Sequence, residues 1–139
     1  MIVFRKLALA TAILSGFALL AAQESSAFEL AGAWATSPDQ CTKVFRRGGR
    51  ANTVGFTNFS GVYGGGFIAE ADRLKGKFEN CKIKSKKENG QTINLIVACA
   101  SGIMLSNVQF FLNVIDDNTI AREFPQMEGM EIKYHRCQI

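Results

Sequence analysis

The stretch CKIKSKKENGQTINLIVAC, residues 81–99, opens and closes on a cysteine and carries Asn89-Gly90 near its middle. On one side, Cys81, Ile83, Ser85 and Lys87 alternate with Lys82, Lys84 and Lys86; on the other, Ile93, Leu95, Val97 and Cys99 share a face. Period-two alternation is the mark of a half-buried strand. Asn and Gly tolerate the positive φ of a tight turn, so the segment reads as a hairpin. A two-residue loop on Asn89-Gly90 would set Cys81 opposite Ala98 and waste the apolar face. A three-residue loop, Asn89-Gly90-Gln91, pairs Glu88 with Thr92, Ile83 with Val97 and Cys81 with Cys99. The apolar faces then agree, and directly opposed residues lie within reach of a disulfide.

With Cys81 bound to Cys99, elimination leaves Cys41 with Cys137; the competing set, Cys41 with Cys81 and Cys99 with Cys137, stays open. Disulfides belong to an oxidising compartment, and the N-terminus fits one. Arg5 and Lys6 precede a 16-residue apolar run over 7–22, and Ser25-Ser26-Ala27 supplies small residues for cleavage, so 1–27 is expected to be a signal peptide. The run is too short for the roughly 20 residues that span a bilayer. Cleavage removes two of the 16 basic and one of the 12 acidic side chains, taking the net charge from +4 to +3 over 112 residues. A single periplasmic or secreted domain over 28–139 follows, small enough to gain from covalent staples.

The rest of that domain also reads as strands. Candidates are 30–36, 41–46, 52–57, 66–70, 74–86, 92–100, 107–115, 119–124 and 131–137, with breakers at Ser37-Pro38-Asp39, Gly48-Gly49, Gly64-Gly65-Gly66 and Asp116-Asp117-Asn118. Ile68, Ala71 and Leu74 also suit one helical face, but a hairpin turning at Ala71-Asp72 is the preferred reading of 66–77. The expected fold is all-β: a small antiparallel barrel of about eight strands with two disulfides.

No constellation for catalysis emerges. His135 is the single histidine and alternates with Lys133 and Cys137 on an outward face, with no serine or thiol beside it to activate. One histidine and four paired cysteines leave no first-shell set for a metal, and no cofactor motif is present: Gly64-Gly65-Gly66 lacks the Lys-Ser/Thr of a phosphate loop. Lys82, Lys84 and Lys86 would form one cationic stripe, suited to an anionic envelope surface or to guarding a strand from aggregation. Aromatic residues do not interleave with it, which speaks against nucleic acid.

At the two ends of the domain, Gly32-Ala33-Trp34 opens the first strand and Arg136 shares a face of the last with Ile132 and Tyr134. This resembles the calycin barrels, a group that includes lipocalins, avidins and small bacterial secreted metalloprotease inhibitors. The resemblance implies a last-strand arginine lying across the tryptophan at the closed end, which would be Arg136 over Trp34. It also implies a non-catalytic binding protein. A barrel face with Val54, Phe56, Phe67, Val108, Phe110, Leu112 and Arg122 would hold a small apolar or anionic ligand, the protein being a monomer. The alternatives are inhibition of a protease, as in the inhibitor family, which also carries a cysteine shortly after the tryptophan, and a module for anionic surfaces.

Overall fold

The computed structural model describes residues 27–139. The leader expected over 1–27 therefore lies, except for Ala27, outside the described residues. In chain order the strands are β1 (Gly32–Ala35), β2 (Phe45–Gly48), β3 (Thr53–Phe56), β4 (Gly66–Ala69), β5 (Arg73–Lys75), β6 (Asn80–Asn89), β7 (Thr92–Ser101), β8 (Met104–Asp116), β9 (Thr119–Glu123) and β10 (Glu131–Cys137). One short helix, α1 (Cys41–Val44), and two 3-10 turns, Pro38–Gln40 and Ser60–Tyr63, complete the elements of the described residues. Strand makes up 57% of the structure, and eight strands close an antiparallel barrel in the order β1-β10-β9-β8-β7-β6-β5-β4.

The hairpin at 81–99 forms, and Cys81 lies opposite Cys99 and Ile83 opposite Val97. Its turn differs from the three-residue loop expected. Asn89 pairs with Thr92, so the loop is Gly90-Gln91, with Gly90 at φ +60° in its first position. A bulge at Lys84 then inserts one residue between Ile83 and Ser85 and restores the alignment at the cysteines. Two one-residue shifts therefore cancel before the disulfide.

Both bridges of the preferred set are present, Cys41–Cys137 and Cys81–Cys99, with Cα atoms 5.5 and 3.9 Å apart. They are compatible with an oxidising compartment. No helix among the described residues is long and apolar enough to cross a membrane. The hairpin reading of 66–77 also holds: Ile68 pairs with Lys75 and Ala69 with Leu74. Three other sequence readings need correction. Residues 41–44 are helical, continuing a 3-10 turn that Pro38 starts without a lost hydrogen bond. The strand expected over 74–86 breaks at 76–79 into β5 and β6. Finally, β2 and β3 form a separate two-stranded ribbon and leave the barrel wall.

Two packed layers result. Inside the barrel, Trp34, Leu95, Val97 and Ile120 are fully buried with Ile93, Leu112 and the Cys81–Cys99 bridge. Outside it, Val44 and Phe45 pack on Ala33, Ala35, Ile68 and Cys137, with Phe56 against the Phe45 ring at 5.2 Å. The Cys41–Cys137 bridge pins this outer layer to β10.

On the chain-entropy account, a bridge spanning 96 residues is worth up to about 4.7 kcal/mol and one spanning 18 about 3 kcal/mol. Replacing Cys41 and Cys137 together by alanine is thus expected to lower the urea midpoint more than replacing Cys81 and Cys99. Equal shifts would refute the ordering.

Candidate functional site

The two ends of the barrel are built differently. At one end, the residues preceding β1 fold under the wall, where Leu30 is buried and accepts the indole Nε1–H of Trp34 at 2.8 Å. Arg136 fastens them. Its guanidinium donates to the carbonyls of Ala31 (2.8 Å), Glu29 (2.6 Å) and Asp117 (3.1 Å), and lies 4.3 Å from the Trp34 ring centroid. Gly32 is required there, because its φ is +137° and a Cβ would sit 3.1 Å from the Arg136 Nη1. The turns at this end are polar: Asp72, Gly90-Gln91 and Asp117-Asn118. The Arg73 guanidinium, hydrogen-bonded to Asp72, holds that carboxyl below the usual carboxylate range.

At the other end lie the β5–β6 connection, the tip of the β7–β8 hairpin and the β9–β10 loop. Opposed residues share a face, so the pairs Leu95 with Phe110, Ile93 with Leu112, and Leu112 with Arg122 place Phe110, Leu112 and Arg122 on the inner surface. Ile132 pairs with Arg122 and joins them. Phe67 is inward too, stacked on Trp34 at 6.4 Å and edge-on to Tyr134 at 5.0 Å. Arg122 is the chemical centre of this region. Its guanidinium carbon lies 3.9 Å from the Phe110 centroid and 4.7 Å from that of Phe124, just past β9. Among the described residues no carboxylate or carbonyl hydrogen-bonds it. Its contacts are thus with aromatic rings, and its N–H donors make no hydrogen bond among the described residues.

Phe56, expected in the barrel wall, lies outside it: its ribbon packs on the outer layer, and alternation alone does not tell which layer a strand faces. The lysine stripe is also broken. Lys82 points outward opposite Ala98, Lys84 occupies the bulge, and beyond it the parity reverses, so that Lys86 stands opposite buried Leu95 and bonds Glu88 at 2.7 Å. β5 pairs with only Asn80, Cys81 and Lys82 of β6, so 84–89 form a free edge. A bulge and several lysines are the devices that keep such an edge from pairing with another chain.

Glu79 approaches Cys81 and Cys99, but the two sulfurs are bonded to each other and offer no thiolate for a metal. Sequence reading missed Phe124, the second ring over Arg122; its place directly after the alternating Ile120 and Arg122 was the available signal. It also missed a set of apolar loop residues at the open end, including Phe78 and Ile103. No family model, curated protein or solved structure matches this chain.

The two inward arginines should behave oppositely. Arg136→Met removes three carbonyl bonds and is expected to cost about 2–4 kcal/mol in urea unfolding. Arg122→Met, which removes ring contacts alone, should change stability by less than about 1 kcal/mol. Similar losses for both would contradict the assignment of the closing contacts to Arg136.

Proposed function

We propose that the protein is an exported, non-catalytic binding protein of calycin-like build that holds a small amphipathic anion in the open end of its barrel. The observation that carries this reading is Arg122: a cation on the inner surface, over the Phe110 and Phe124 rings and without a carboxylate partner among the described residues. A cation withdrawn from water without a counter-charge is costly, and a ligand carboxylate would relieve that cost. Phe67, Phe110, Leu112 and Ile132 give the apolar wall on which the ligand's body would rest.

The middle of the barrel is filled by Trp34, Leu95, Val97 and Ile120, so the ligand is shallow and short and not threaded through the barrel. The basic-apolar leader over 1–27 and the two bridges support a periplasmic or secreted location. The Arg136 guanidinium over Trp34 is the contact that the calycin resemblance implies. The inhibitor reading draws less support, because 28–31 are tucked against Arg136 and Trp34 and not held free to enter a protease cleft.

Decanoate, decanol and decylammonium share one alkyl chain and differ in charge, which makes them suitable probes. Calorimetric titration is expected to show decanoate binding best and Arg122→Met weakening it by about 10-fold or more. Equal affinity for all three, or for the variant and the parent, would defeat the reading.

A further inference from the structure

All four connections at the open end carry exposed apolar side chains. Phe59 (72% exposed) caps and Val62 (78%) lies in the 3-10 turn before β4, Phe78 (81%) is in the β5–β6 connection, Ile103 (102%) is at the tip of the β7–β8 hairpin, and Leu105 (84%) lies just below it in β8, opposite Ala100. Met127 and Met130, about half exposed, lie in the β9–β10 loop. Beside the polar turns of the closed end, Ile115 (46%) is the one large apolar side chain among the described residues so exposed. The first three groups adjoin along one flank: a cleft of about 340 Å³ joins Phe59 and Val62 to Lys77 and Phe78, and a second of about 440 Å³ joins those two to Asn80 and Ala100, beside the hairpin tip. Exposed apolar surface of this extent marks an interaction site.

We propose that this flank docks the protein on an anionic bilayer, its apolar side chains entering the headgroup boundary while nearby lysines meet lipid phosphates. Three observations select a bilayer. First, the apolar groups stand on separate projecting loops; a soft surface admits several such points at once, whereas a protein partner would need a matching pit for each. Second, the flank is cationic: Lys43 is exposed over the Tyr63 ring at 5.1 Å, Lys82 is exposed and points outward opposite Ala98, and Lys77, whose ammonium donates to the Thr57 carbonyl, adds its charge beside both clefts. Glu79 is the one carboxylate lining the two clefts. Apolar and aromatic tips with flanking lysines are what interfacial binding to anionic lipid requires. Like charges would oppose a second copy docked on the same face. Third, Asn94, Gln109 and Lys133 interrupt Ile96 and Phe111 on the outward wall, and β1, β4 and β5 have 4, 4 and 3 residues where a spanning strand needs about 9–11, so the barrel rests on a membrane and does not span it. Glu123, Glu128 and Glu131 gather on the opposite side of the mouth, which tilts the molecule onto its lysine side.

Flotation of the disulfide-bonded protein with vesicles tests the idea. With about 30% phosphatidylglycerol in phosphatidylcholine, at about 0.1 M salt, the protein is expected to float, and with phosphatidylcholine alone to bind at least about 10-fold less. Changing Phe59, Val62 and Phe78 together to Ser should lower binding about 10-fold or more, and Ile103→Ser with Leu105→Ser should act in the same direction. Changing Lys43 and Lys82 together to Gln should remove most of the preference for the anionic lipid. These side chains are exposed, and an unchanged thermal midpoint would verify that each variant folds. Failure of the parent to float, equal flotation of the Ser variants, or a stoichiometric complex with an extracted protein in place of vesicle binding would overturn the proposal.

Discussion

Barrel closure rests on a strand of four residues. β1 is hydrogen-bonded to β10 on one side and β4 on the other, and without it the sheet would be an open meander with two bare edges. A strand so short orders few residues and gains few ladder bonds, so it needs support from side chains. Trp34 supplies buried area, and Arg136 ties the preceding carbonyls to the β8–β9 turn. The Cys41–Cys137 bridge fixes the segment following β1 to β10. Close approach is the remaining condition. Gly66 faces Ala35, and a Cβ on it would lie 2.1 Å from the Trp34 carbonyl oxygen, so the β1–β4 seam tolerates no side chain there.

This arrangement divides the molecule chemically along its axis. At the closed end every prominent polar group is answered: guanidinium by carbonyls, indole N–H by Leu30, Asp72 by Arg73. At the open end the pattern inverts, with an arginine answered by rings alone and apolar side chains held out in solvent. The contacts that shut the barrel are therefore gathered at one end and the unanswered side chains at the other.

Much of the fold was legible in the sequence because alternation encodes parity, and parity is what a half-buried sheet must satisfy. The Cys81–Cys99 pairing followed from the faces of Ile83 and Val97. Parity cannot say where an extra residue sits, however, so a two-residue turn plus a bulge at Lys84 gave the same relation at the cysteines as a three-residue turn. The lysines beyond the bulge were misread for that reason. Phe56 was misplaced because an alternating ribbon looks alike whether it builds the wall or packs on its outside. Of the expected lining, Phe67, Phe110, Leu112 and Arg122 do face inward. The ring clamp on Arg122 was not legible, since Phe124 lies past the last ladder pair and its position depends on the loop that follows.

The single tryptophan of this chain sits at the seam itself, fully buried, with Phe28 at 6.1 Å and a guanidinium over its face. Excitation beyond tyrosine absorption therefore draws fluorescence from one known place. Its emission reports whether the ring of strands is shut, so a spectroscopist could follow closure of the seam with no added label.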